Sequence, residues 1–318
     1  MAEKKLTQQQ LRRIDKSKKQ TLQNATVDNH GLLITRTSNK GVVEDSNHKL
    51  YNCSLRRNID SLAAGDKVLW HKEKQGNVIT ARLERRSVLG RPDKRGNIKP
   101  VAANIDQMII VCAPIPQVSY LLIDSYLVAA SILNIQPIIV ANKSDISVQN
   151  QLKDIYHPLG FTVIETSTKD HSNLQPLIHE MSDKVSVFVG QSGVGKSSLI
   201  NALIPLTNTA TQEISQQAQL GRHTTSNSHL YHLPNGGDII DSPGIREFSL
   251  WHVDAKEIPN HFCEISDFAK KCKYKNCSHL NEPYCAIDDA HQRGEIHEIR
   301  YQNFISLLTN INNQKLIS

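Results

Sequence analysis

The sequence predicts three units in a row: a small all-β barrel, an α/β domain on a parallel sheet, and a short metal-bound helical end. Three observations carry this. Short β-type runs separated by turn signals fill residues 25–86, continuous apolar runs alternate with helical stretches from Val101, and three cysteines and a histidine crowd into residues 272–285. The chain has 318 residues, where a single domain typically has about 100–150. The expected divisions are a basic tail over 1–24, a barrel with a basic linker over 25–100, the α/β domain over 101–256 and the metal-binding end over 257–318.

The barrel is read from runs such as Gly31-Leu32-Leu33-Ile34-Thr35 and Lys67-Val68-Leu69-Trp70, broken at Ala64-Gly65-Asp66 and Gln75-Gly76-Asn77. About five short strands so spaced suit a closed or half-closed barrel, with an OB-type fold as the first choice. Arg82, Arg85, Arg86, Arg91, Lys94, Arg95 and Lys99 follow at once. The first 100 residues hold 22 Lys and Arg against 10 Asp and Glu, whereas the rest hold 15 against 21. Clustered cations suit a nucleic-acid backbone, because neutralised phosphates release counterions. A solvated face with a solubilising tail, on a purely structural barrel, accounts for the same pattern.

From Val101 the rhythm changes. Gln107–Cys112, Pro137–Ala141, Phe161–Glu165 and Val185–Val189 are apolar runs of strands buried on both faces. Helical stretches over 121–133, 147–156, 174–181 and 197–203 alternate with them, which is the βα rhythm of a parallel sheet covered on both sides. A further helix is expected over 288–308. No stretch approaches the roughly 18 apolar residues of a membrane span. The start of the chain is polar and Lys-rich without an apolar centre. A cytoplasmic location with no membrane partner is expected, and the chain is taken as a monomer.

Gly190-Gln191-Ser192-Gly193-Val194-Gly195-Lys196-Ser197, followed by Ser198, matches the phosphate-binding loop pattern, between a buried strand and an amphipathic helix. Its glycines let backbone N–H groups turn toward phosphate oxygens at a helix N-terminus. Lys196 is expected to reach the β- and γ-phosphates and the Ser197 hydroxyl to ligate Mg²⁺. Asn142-Lys143-Ser144-Asp145 follows another strand, at the sheet edge where ligands bind. The Asp145 carboxylate accepts from both guanine N1–H and the exocyclic amine, whereas adenine would leave it unpaired at about 1–3 kcal/mol. Asn142 braces the loops, and the Lys143 stem lies over the base. GTP is therefore the expected nucleotide.

Asp241-Ser242-Pro243-Gly244 follows the strand at Asp238–Ile240, with Asp241 suited to hold Mg²⁺ through water and the Gly244 N–H to meet the γ-phosphate. In Gly221-Arg222-His223-Thr224-Thr225, Thr225 is the chosen Mg²⁺ ligand of a switch, with Thr224 close behind. Ile245 stands where many GTPases orient water with glutamine, so slow intrinsic hydrolysis is expected, and His223 is the nearest candidate for that task. The guanine loop comes before the phosphate loop, the reverse of the ordinary order. The fold class is thus a circularly permuted α/β P-loop GTPase domain.

Cys272-x4-Cys277-x-His279-x5-Cys285 offers three thiolates and an imidazole within fourteen residues, the donor set of a closed structural zinc site. One Zn²⁺ per chain is expected. Lys270, Lys271, Lys273 and Lys275 give it a basic edge suited to RNA phosphate. Cys53, Cys112 and Cys263 are read as buried apolar residues.

On Gly190–Ser198, Asn142–Asp145, Gly221–Thr225, Asp241–Phe248 and the Cys/His quartet, the chain resembles the small ribosomal subunit biogenesis GTPase family, RsgA (also called YjeQ), over nearly its full length. The resemblance implies an N-terminal OB domain, a circularly permuted GTPase domain and a C-terminal zinc domain. It also implies binding to the 30S ribosomal subunit and its 16S rRNA late in maturation, with hydrolysis of GTP to GDP stimulated by the subunit. By the same resemblance His223 positions water, and Ser167 and Thr168 fall at the guanine-contacting loop. That loop departs from the family's usual Ser-Ala pair. The alternative is an rRNA-binding assembly factor that uses GTP as a binding switch with incidental turnover.

Overall fold

The computed structural model describes residues 29–56, 59, 61–92, 98–169, 173–204, 228–241, 253–280 and 282–315. The tail over 1–24, Lys94 and Arg95, the segment holding His223, Thr224 and Thr225, and the stretch with Gly244 and Ile245 lie outside the described residues.

Five strands make the barrel: β1 (Asn29–Arg36), β2 (Lys40–Glu44), β3 (Leu50–Leu55), β4 (Lys67–Glu73) and β5 (Gly76–Arg82). They pair in the order β1-β2-β3-β5-β4, and β4 returns to β1, so the sheet closes on itself. Only β3 and β5 run parallel. Every second residue points inward, and Leu33, Val43, Cys53, Leu62, Val68, Trp70 and Ile79 fill the interior. This is the OB-type barrel that the turn spacing predicts.

The expected basic linker instead contains a hairpin of β6 (Val88–Pro92) and β7 (Ile98–Ala103). Leu89, Val101, Ala102 and Ala103 are buried, so apolar packing orders it while the cations lie on other positions. Two of those cations are already engaged. Arg85 grips the fully buried Asp66 through Nε at 2.6 Å and Nη2 at 2.7 Å, a fork-on-fork pair. Arg86 donates to Asp106 at 2.7 Å. Arg85 thus ties the start of the linker to the barrel, and Arg86 ties it to the residue that precedes the central sheet strand.

The second domain contains β8 (Gln107–Cys112), α1 (Tyr120–Leu133), β9 (Gln136–Asn142), α2 (Asn150–Tyr156), β10 (Thr162–Thr166), α3 (Leu174–Met181), β11 (Val185–Val189), α4 (Lys196–Leu203), β12 (His229–His232) and β13 (Asp238–Asp241). The strands lie in the order β10-β9-β8-β11-β13-β12. The first five are parallel, and β12 runs antiparallel to β13 at the edge. All six residues of β8 are buried, as a central strand covered on both faces requires. One face packs against α1, α2 and the C-terminal helices, the other against α3 and α4. The phosphate-loop strand β11 is central although three of its sheet-mates precede it in the chain. That order is what a permuted chain produces.

Helix α1 starts where the Ser119 hydroxyl accepts from Leu122 N at 3.3 Å and ends at Asn134 in the left-handed region. Helix α2 begins at Asn150 rather than near Ser147: Lys143–Ile146 close a turn, and exposed Ile146 and Val148 give no apolar face to pack a further turn of helix. The short strand β12 has no apolar run to announce it. It meets the barrel at Thr35 and His229, with Thr35 Oγ1 donating to Ser228 O at 2.9 Å.

At the end of the chain a 3-10 turn (Ala255–His261) precedes α5 (Ser266–Ala269), α6 (Ala286–Gln292) and α7 (Glu298–Lys315). The single helix expected over 288–308 is broken at Gly294, whose φ of 75° leaves the helical region. Arg300, 2% exposed, anchors α7: it donates to Glu264 at 2.6 and 3.0 Å and to Asp124 of α1. Asn303 and the Tyr156 hydroxyl also donate to Asp124, at 2.6 and 2.8 Å. Cys263 is exposed, contrary to expectation. Its neighbours Phe262 and Ile265 take the inward positions, leaving its thiol beside the Glu264 carboxylate at 3.3 Å. Cys53 and Cys112 are buried as expected.

Candidate functional site

The phosphate-loop segment leaves β11 at Gly190 and enters α4 at Lys196, and its shape depends on glycine. Gly190 has φ of 132°, and a Cβ there would fall 2.1 Å from the Val111 carbonyl oxygen. Gly195 caps α4 with φ of 95°, where a Cβ would come 2.4 Å from Asn142 Nδ2. No side chain caps α4, so its first-turn N–H groups face the loop with the positive end of the helix dipole behind them. The Lys196 ammonium reaches over the loop to the Gly190 and Gln191 carbonyls at 2.7 and 2.6 Å. Val194 is buried below, Ser192 and Gly193 are exposed, and Ser197 and Ser198 sit exposed in the first turn of the helix.

The guanine-type loop leaves β9 and lies directly against the phosphate-type loop. Buried Asn142 donates from Nδ2 to Val194 O at 2.9 Å. The Lys143 ammonium donates to Gly193 O at 2.8 Å and to Ile115 O at 2.7 Å, so its stem spans the gap between them. Ser144 N donates to Thr166 O at 3.1 Å, and Thr166 Oγ1 to Asn142 Oδ1 at 3.2 Å. The Ser167 hydroxyl donates to Asp145 Oδ1 at 2.8 Å and fixes that carboxylate, with Thr168 half-buried beside it. Sequence reasoning had no signal for the bracing by Thr166 or for the Ile115 carbonyl, since both depend on which loops meet.

Asp241 ends β13, and its register with β11 puts it at the same sheet edge as Gly190. The structure thus gathers Asn142 to Asp145, Ser167, Thr168, Gly190 to Ser198 and Asp241 at one edge. His223, Thr225 and Gly244 lie outside the described residues.

The metal-type quartet is assembled independently. One donor atom each from Cys272, Cys277, His279 and Cys285 lies within 4.8 Å of the other three. His279 Nδ1 is 3.6 Å from both Cys272 Sγ and Cys285 Sγ. A tetrahedral ion with sulfur at about 2.3 Å and nitrogen at about 2.0–2.1 Å separates such atoms by about 3.6 Å. Burial pushes the Cys285 thiol up to about 12, so a bound cation is what would hold it as thiolate. The donors fit a structural metal, and among the described residues no helix is long and apolar enough to cross a membrane.

Sheet order, loop placement and the paired loops together define a circularly permuted GTPase of the P-loop type. The profile described as RsgA GTPase matches residues 82–251. The small ribosomal subunit biogenesis GTPase RsgA of Haemophilus influenzae (strain PittGG) is 40% identical over 99% of this chain and 98% of its own length. Its counterpart from Actinobacillus succinogenes is 42% identical over 97% and 96%. The crystal structure of YjeQ from Thermotoga maritima superposes with a TM-score of 0.73 at 29% identity, covering 90% of this chain and 99% of that one. YloQ, described as a circularly permuted GTPase, gives 0.70 at 29% identity over 92% and 97%. The chain belongs to the RsgA GTPase family, and it is a GTP hydrolase.

Proposed function

We propose that this GTPase assists late maturation of the 30S ribosomal subunit in the cytoplasm, acting as a monomer on 16S rRNA. The curated relatives are named for biogenesis of the small ribosomal subunit, and the barrel and the Lys-rich metal-binding end supply basic surface for RNA phosphate. The observation that carries the nucleotide reading is the pair of hydrogen bonds from Asn142 to Val194 and from Lys143 to Gly193, which set the base-reading loop on the phosphate loop.

In this reading Asp145 accepts from guanine, Ser167 and Thr168 close the base pocket, and amides of Gly190 to Ser198 cradle the phosphates. Ser197 and Thr225 would hold Mg²⁺, with Asp241 assisting through water, and the Gly244 N–H would meet the γ-phosphate; the ion would supply charge neutralisation there. Water positioned by His223 attacks that phosphate in line, while Lys196 and the loop amides stabilise the charge that develops. Cys272, Cys277, His279 and Cys285 would hold zinc, which would order the C-terminal end. Hydrolysis then releases the protein from the subunit.

Rates of GTP hydrolysis measured with and without purified 30S subunits test the proposal. Stimulation by 30S and not by 50S subunits is expected; no stimulation would favour a binding factor with incidental turnover.

A further inference from the structure

A second cluster of metal-type donors lies at the seam between the barrel and the sheet. Glu44 ends β2, His48 stands in the β2–β3 turn, and His232 ends β12. One donor atom from each of the three lies within 4.8 Å of the other two. Glu44 Oε2 is 2.8 Å from His232 Nε2, and Oε1 is 3.3 Å from His48 Nδ1. The two imidazoles meet edge-on, their centroids 5.8 Å apart.

The surroundings are built rather than incidental. His232 Nδ1 lies 2.6 Å from Asp238, its cross-strand partner in the β12–β13 hairpin. With Glu44 at its other nitrogen the ring stands protonated between two carboxylates, so an ion that displaces the Nε2 proton finds Asp238 already behind the ring, the arrangement found behind metal-ligating histidines. His48 is held in the left-handed region at φ 58°, its N–H donating to Asp45 O at 3.1 Å. The Asp45 carboxylate takes the Asn47 and Lys49 N–H groups at 2.9 and 3.0 Å, which stiffens the turn carrying His48 over Glu44. Glu44 is only 7% exposed, so its charge is weakly screened, while exposed His48 leaves an entry path.

We infer that Glu44, His48 and His232, oriented by Asp238, form a second divalent-metal site, suited to zinc or an ion of like preference, that ties the barrel to the β12–β13 hairpin. Two imidazoles with one carboxylate favour a borderline transition ion over Mg²⁺ or Ca²⁺. Tetrahedral donors at about 2.0–2.1 Å stand about 3.3 Å apart, close to the 3.3 Å between Glu44 and His48 and wider than the 2.8 Å between Glu44 and His232, so binding would spread the latter pair. Three protein ligands leave one position for water. On binding, the ion takes the Nε2 lone pair of His232 and any proton there leaves to solvent. The opposite end of the hairpin carries Asp241, paired across the strands with His229, so the ion would hold the barrel against the strand that serves the nucleotide site.

The test counts zinc per full-length chain by mass spectrometry after saturation and desalting. Wild type is expected to hold two ions and His48→Ala one, with the second ion bound 10–100-fold more weakly in Asp238→Asn. Cobalt substitution separates the sites: the thiolate-to-cobalt absorption of the cysteine quartet should persist in His48→Ala while the sulfur-free visible bands vanish. One zinc per chain in wild type would overturn the inference and leave the cluster a protonated ion bridge. Two zinc ions in both His48→Ala and Glu44→Gln would also overturn it. So would loss of the thiolate band in His48→Ala, which would trace the change to general unfolding.

Discussion

The loop pair at the sheet edge and the seam between barrel and sheet both join strands distant in the chain, but with different materials. The loop pair is held largely through backbone: the acceptors for Asn142, Lys143 and Lys196 are carbonyls of Val194, Gly193, Ile115, Gly190 and Gln191. The seam is held by ionisable side chains, with Glu44 of the barrel in contact with His232 and His232 in turn with Asp238. A site made from backbone restricts sequence at fixed spacings, because a Cβ at Gly190 or Gly195 would collide with its neighbours. A seam made from side chains leaves no spacing to read.

Substitutions separate the two kinds of junction. The largest effect is expected from Lys196→Ala, which removes the one cation on the phosphate-type loop. GTP turnover should drop by about 10²–10³-fold, the scale seen when a charge-stabilising donor is lost, with little change in melting temperature. Turnover within twofold of wild type would separate this loop from the chemistry.

Arg300→Leu should act on stability instead. It strands Asp124 and Glu264 as buried charges, and breaking such a group costs about 3–5 kcal/mol. Denaturant unfolding should show that loss, with guanine-nucleotide affinity in the remaining folded protein nearly unchanged.

The smallest effect is a pH dependence. Burial holds His229 down to about 4, against 6.5 when free. The unfolded chain therefore binds a proton that the folded one refuses between those values, so stability falls as pH drops from about 6.5 to about 4. Glu264 adds to this: burial opposes ionisation, but the hydrogen bonds and charge of Arg300 hold it below its ordinary range. Its contribution is present above the free carboxyl's pKa and is lost as pH falls through the lower folded value. Melting temperatures across that range should decline, and His229→Gln should flatten the part due to the histidine.

Much of this was legible beforehand where periodicity or glycine spacing governs. β8, β11 and α3 fall where the apolar runs put them, because strands buried on both faces and an amphipathic helix declare themselves in hydrophobicity. The hairpin of β6 and β7 was hidden because Pro92 and Pro100 and seven nearby cations mask a weak alternation. β12 was hidden because His-Leu-Tyr-His carries no apolar run and gains its order from β13 and β1. Arg85 reads as a surface cation until Asp66, nineteen residues away, is seen to be fully buried against it. The Ser167 bond to Asp145 likewise depends on β10 lying beside β9.

In the proposed function, the Asn142–Asp145 loop and the Gly190–Ser197 loop close on a single guanine nucleotide. Competition of unlabelled nucleotides against a fluorescent GDP analogue, in wild type and in Asp145→Asn, tests it directly. GTP should displace the probe from wild type and ATP should not, and the variant should turn toward xanthine nucleotides, which carry an oxygen where guanine carries an amine. Equal displacement by ATP in wild type, or an unaltered preference in Asp145→Asn, would contradict it.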